Sequence, residues 1–64
     1  MNGTVEISGN VIQAEAGETI EALMRRSGII PDAFLFLING KPVPMDMPIE
    51  DGMNIRAIKV ASGG

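Results

Sequence analysis

Asn54-Ile55-Arg56-Ala57-Ile58-Lys59-Val60-Ala61-Ser62-Gly63-Gly64 passes from β-branched residues to small ones, and the rest of the chain is organised around it. Residues 54–60 carry Ile55, Ile58 and Val60, β-branched side chains that favour a pleated, half-buried surface. The segment therefore reads as a strand. Beyond Val60 the side chains shrink to Ala-Ser-Gly-Gly. Glycine loses the most conformational entropy on ordering, so residues 61–64 are expected to form a flexible tail behind a domain spanning 1–60. Four residues reach at most ~13–14 Å. With no Cβ on Gly63 or Gly64, this end could enter a channel too narrow for other residue types. Such a terminus suits a carboxylate handed to another protein's active site. The plainer alternative is a frayed end rich in small residues.

The strand is two-faced. Ile55 and Ala57 share one parity, and Arg56, Ile58 and Val60 the other. Its companion is Ala33-Phe34-Leu35-Phe36-Leu37-Ile38, the most hydrophobic run in the chain. Pro31 before it and Asn39-Gly40 after it favour a strand over a buried helix. Phe34, Phe36 and Ile38 are assigned inward, because two bulky rings best fill the space beneath one short helix. Leu35 and Leu37 then point outward and share the opposite face with Arg56, Ile58 and Val60. Four aliphatic side chains around one arginine are a large apolar surface for so small a chain, and such patches mark interaction sites. These five residues are the candidate partner-binding surface. A face between two copies of the chain is the competing explanation.

Working outward, Asn39-Gly40 is a hairpin signal, and Lys41-Pro42-Val43-Pro44 reads as a short strand. Its prolines cannot donate to a ladder, which places it at a sheet edge. Met45-Asp46-Met47-Pro48 is irregular, Ile49 is expected to plug the bottom of the core, and Glu50-Asp51-Gly52 is a turn. At the other end of the chain, Thr4-Val5-Glu6-Ile7-Ser8 alternates polar and apolar. With a turn at Gly9-Asn10 and a return over Val11 to Glu15, residues 3–15 form a predicted hairpin. Thr19 then suits an N-cap, and Ile20, Leu23 and Met24 make one apolar stripe. Glu21 near the start and Arg25 and Arg26 near the end agree with the helix dipole, and Gly28 suits the left-handed position after the last turn. A helix of about two and a half turns does not persist alone in water, so it must lie on a sheet.

Sixty-four residues make one small domain, of a size that buries only roughly 60% of its unfolded surface. Cysteine and histidine are both missing, so neither a disulfide nor a Cys/His metal site can staple it. No catalytic residue and no metal ligand is assigned. The net charge is −3, with two phenylalanines and no Tyr or Trp, which argues against nucleic-acid binding. A basic protein partner fits better. No apolar run approaches the ~20 residues of a membrane span, and a cytoplasmic location is expected.

The order hairpin, helix, long apolar strand, short edge strand, Asp-Gly turn, last strand and Gly-Gly resembles the ubiquitin-like β-grasp fold. That fold is an α+β arrangement, a mixed four- to five-stranded sheet packed against one main helix. Asn39-Gly40-Lys41-Pro42-Val43-Pro44, and the run from Ile49-Glu50-Asp51-Gly52 to Gly64, resemble the sulfur-carrier branch of ThiS- and MoaD-like proteins and archaeal small modifier proteins. Met53 stands where that branch usually has an acidic residue, and Arg56 and Lys59 lie in a strand that is often more apolar.

The resemblance implies a role for Gly64. An E1-like adenylyltransferase would use ATP and Mg²⁺ to adenylate its carboxylate, with Ser62 and Gly63 as the tail that reaches the active site. A sulfur donor then leaves a thiocarboxylate for thiamine, molybdopterin or tRNA thiolation, or a target lysine accepts the acyl group as an isopeptide. The chain itself lacks a phosphate loop, a histidine base and a cysteine nucleophile, so it reads as a carrier, not an enzyme, with no cofactor of its own. It is expected to be a monomer when free. A sulfur carrier, a protein modifier and a plain binding module all remain open on sequence.

Overall fold

A computed structural model describes residues 2–60. The strands are β1 (Thr4–Ile7), β2 (Asn10–Gln13), β3 (Phe34–Ile38), β4 (Lys41–Val43) and β5 (Asn54–Lys59), with one helix, α1 (Ile20–Arg26). They form one five-stranded sheet in the order β2-β1-β5-β3-β4. β5 lies at its centre, parallel to β1 and antiparallel to β3. The architecture is a compact α+β layer, a mixed sheet under one helix. The predicted tail, residues 61–64, lies outside the described residues.

Parity decides which face the helix covers. Ile55 pairs with Val5 and Ile38, and Ala57 with Ile7 and Phe36. These side chains meet Ile20, Leu23 and Met24, each fully buried, from one face of α1. Phe34 and Ile38 pack at the rim of the same core, and Ile49 closes it at 2% exposure. The inward assignment of Phe34, Phe36 and Ile38 therefore holds.

At seven residues α1 is about two turns, shorter than the sequence suggested, and it is capped at both ends. The N–H groups of the first turn have no partner inside a helix. Here Ala22 donates to the Thr19 hydroxyl at 3.2 Å and Leu23 to the Thr19 carbonyl at 3.0 Å. Ile20 and Glu21 donate to the carbonyls of Met47 and Met45. The stretch that looked irregular in sequence is thus the cap that seats the helix. At the other end Gly28 has φ 78, with Gly28 N–H on Arg25 O and Ile29 N–H on Met24 O. That bonding pattern is a Schellman close, made by the glycine expected to make it.

Several boundaries differ from the sequence reading, among them the return strand, which ends at Gln13 and not at Glu15. The first turn is Ser8-Gly9, not Gly9-Asn10, and Asn10 is already paired with Ile7. Both turn residues have positive φ, 49 and 84, and a two-residue turn of this kind favours glycine second. The Asn39-Gly40 turn has the same form. Secondly, Ala33 does not open β3. With Pro31 and Asp32 it forms a 3₁₀ turn that begins on proline, whose fixed φ suits a helical first position. Thirdly, Pro44 falls outside β4, and its carbonyl accepts the Met47 N–H. Val60 follows β5, yet its N–H still donates to Ala33 O at 3.0 Å.

Glu18 and Arg26 close the side of the core. Arg26 donates from Nε to Glu18 Oε2, from Nη2 to Glu18 Oε1 and from Nη2 to the Gln13 carbonyl. Glu18 Oε1 also accepts the Glu15 N–H at 3.0 Å. The Arg26 hydrogen bond holds the Glu18 carboxyl below the usual glutamate range, and the Glu15 N–H acts in the same direction. A lowered carboxyl pKa stabilises the fold above the unfolded value, and that contribution is lost as pH falls through the folded value. Glu18→Gln should therefore reduce stability near neutral pH and remove part of its acid dependence. Melting temperatures from pH 7 to pH 3 check this, and parallel curves for the two proteins would contradict it.

Gly3 is fixed by space, not by φ. A Cβ there would lie 2.5 Å from Ile49 Cγ2 and 2.6 Å from the Glu50 carbonyl oxygen. Gly3→Ala should cost about 1–3 kcal/mol in urea unfolding, the usual cost of overpacking. An unchanged midpoint would mean that the strand and the Ile49 loop are not so closely apposed.

Candidate functional site

The sheet face opposite α1 has no covering layer among the described residues. Alternation puts Leu35, Leu37, Arg56 and Ile58 there, and pairing sets their order. Leu35 lies directly opposite Ile58, and Leu37 directly opposite Arg56. Leu35, Ile58 and Val60 are each 42% exposed, while Leu37 is half-buried. The five residues that the sequence assigned to this face are all brought to the β3–β5 pair or its immediate end.

The face is divided along its length. Leu35, Ile58 and Val60 occupy the end where β5 finishes, next to where the tail begins. The other end is polar. Arg56 faces Glu6 across the β1–β5 pair with 3.8 Å between Nη2 and Oε1, and the Thr4 hydroxyl donates to Asn54 Oδ1 at 2.9 Å. An open depression of about 520 Å³ lies there, bounded by Glu6, Leu37, Asn39, Asn54 and Arg56. The Glu6–Arg56 pair is solvated on both sides and contributes little to stability.

Two residues on this face escaped the sequence reading. Glu6 is the ion-pair partner of Arg56, and Val11, 62% exposed, lies opposite Glu6 on β2. Strict alternation from Val5 and Ile7 could have found Glu6. Val11 depended on the position of the first turn.

Gly64, Gly63 and Ser62, the residues assigned to acyl activation, lie outside the described residues. Among the described residues no group of His, Cys, Asp or Glu has the arrangement to hold a metal ion. No helix of the described residues is long and apolar enough to cross a membrane. No family model matches the chain, and comparison with curated proteins finds no match.

Because Leu35 and Ile58 already meet water, Leu35→Glu and Ile58→Glu should each change stability by no more than about 0.5 kcal/mol in urea unfolding. Ala57→Glu, one residue away but 6% exposed, should unfold the chain. Equal damage from all three would mean that both faces of β5 are buried.

Proposed function

We propose that this chain is a ubiquitin-like β-grasp protein of the sulfur-carrier kind, acting through the carboxylate of Gly64. The observation that carries the reading is positional. The central strand, held by hydrogen-bonded neighbours on both sides, leads directly into Ala61-Ser62-Gly63-Gly64. The exposed aliphatic cluster of Leu35, Ile58 and Val60 sits at that same end. A partner gripping this cluster has the tail within a few residues of its own reacting centre. The element order and the placing of a parallel β1–β5 pair at the sheet centre support the β-grasp reading.

A carboxylate is a poor electrophile and must be activated. An E1-like adenylyltransferase joins Gly64 to the α-phosphate of ATP and releases pyrophosphate. A donor persulfide attacks the acyl carbon and expels AMP, and a second thiol cleaves the resulting S–S bond to leave the thiocarboxylate. ATP, Mg²⁺ and the nucleophiles belong to the partners in this scheme. The globule supplies a rigid handle, and the two glycines supply a thread without side chains. A sulfur acceptor enzyme, or target lysines if the acyl group is passed to an amine, completes the route in the cytoplasm.

The test is intact-mass analysis of the chain ending at Gly64 after incubation with an E1-like enzyme, MgATP and a sulfur donor. The expected product is heavier by the replacement of one oxygen by sulfur, and a chain lacking Gly63 and Gly64 stays unchanged. An unaltered mass under conditions that charge another carrier would overturn the proposal. Isopeptide-linked tail remnants on lysines, with no thiocarboxylate, would assign the modifier role instead.

A further inference from the structure

The two edges of the sheet are finished differently. On β4 the Asn39-Gly40 turn closes on the pair Ile38–Lys41, and the next hydrogen-bonded pair is Phe36–Val43. Residue 42 therefore turns its backbone groups to solvent, and residue 44 follows the same alternation. Both are prolines. Neither offers an N–H, so this edge presents no donor at either position.

β2 has no such block. Its turn closes on Ile7–Asn10, and hydrogen-bonded pairing returns at Val5–Ile12 and again where Ala14 N–H meets Gly3 O at 2.8 Å. Val11 and Gln13 therefore direct their backbone groups outward. Arg26 already occupies the Gln13 carbonyl at 2.9 Å. Among the described residues, the N–H and carbonyl of Val11 and the N–H of Gln13 remain open. Asn10-Val11-Ile12-Gln13 contains no proline and no charge, the usual guards of an exposed edge. The Val11 side chain beside those groups is 62% exposed.

We propose that the β2 edge receives an extended, basic segment of another protein, added antiparallel alongside Val11 and Gln13. Main-chain hydrogen bonds would provide the attachment, and an apolar residue of the segment would cover Val11. Charge selects the class of occupant. The local cations are committed, Arg26 to Glu18 and Arg56 to Glu6. Glu15, two residues beyond Gln13, makes no contact ion pair among the described residues, although Arg26 acts on it through space. Glu15 and Glu18 therefore leave this edge one negative charge in excess of Arg26, and the chain carries a net charge of −3. A second copy of the chain is a poorer occupant. Pairing two four-residue edges buries far less than the ~1,200 Å² of a stable interface.

The experiment is an NMR titration of the ¹⁵N-labelled chain with two acetylated, amidated peptides, Lys-Lys-Val-Thr-Val-Thr and Glu-Glu-Val-Thr-Val-Thr, at low salt. The lysine peptide should shift the Val11 and Gln13 amides, slow their exchange with solvent, and bind at least about threefold more tightly than the glutamate peptide. Val11→Pro copies the β4 device at a position whose N–H the fold does not use. It should keep the remaining spectrum and lose binding. Unmoved Val11 and Gln13 amides, equal binding of the two peptides, or undiminished binding by a folded Val11→Pro chain would each overturn the proposal. Concentration-dependent shifts of the same amides without peptide would overturn it in favour of self-pairing.

Discussion

One two-turn helix has to cover one face of a five-stranded sheet, and that limit governs the rest of the molecule. Alone in water so short a helix has almost no population, because nucleation costs more than a few hydrogen bonds return. It persists here because Ile20, Leu23 and Met24 are wholly removed from water against Val5, Phe36, Ile55 and Ala57. Each of those sheet residues is fixed in parity by β5, so a slip of one position would turn the core outward. There is no second helix among the described residues to cover the other face. Leu35, Ile58 and Val60 are left in water by geometry, and the sequence keeps them aliphatic nonetheless.

The helix ends show the same economy of parts. Four N–H groups at its start are satisfied by one threonine and by two carbonyls of a loop more than twenty residues away. That loop also delivers Ile49 to the core, with the Ile49 N–H bound to the Glu18 carbonyl at 2.8 Å. The Glu18–Arg26 network joins the end of β2, the loop before α1 and the last turn of α1. The elements that hold the core together therefore lie on the helix side. Among the described residues, the side-chain pairs on the outer face are the exposed Glu6–Arg56 and Thr4–Asn54.

Much of this was legible in the chain. The period-two alternation of Thr4–Ile7, the β-branched content of Asn54–Lys59, the stripe at Ile20, Leu23 and Met24, and the Asn39-Gly40 signal each express a local rule that tertiary structure did not override. Pro42 and Pro44 announced an edge, and β4 is one. What the sequence hid depended on long-range closure. The Met45–Pro48 stretch has no periodicity because its role is played by backbone carbonyls, which no side-chain pattern records. Gly9-Asn10 looks like a turn as readily as Ser8-Gly9, and only the pairing of Val5 with Ile12 separates them. The five outer-face residues were found from alternation alone, while Val11 required the register of the first hairpin.

One-sided helix cover leaves Leu35, Ile58 and Val60 open beside the exit of the central strand, the surface proposed for docking. Methyl-resolved NMR of the chain with an unlabelled E1-like adenylyltransferase tests it most directly. The expected result is selective perturbation of the Leu35, Ile58 and Val60 methyl groups, with the buried methyls of Ile20, Leu23 and Ile55 unmoved. Perturbation centred on Ile30 and the helix side, with the outer face silent, would contradict it.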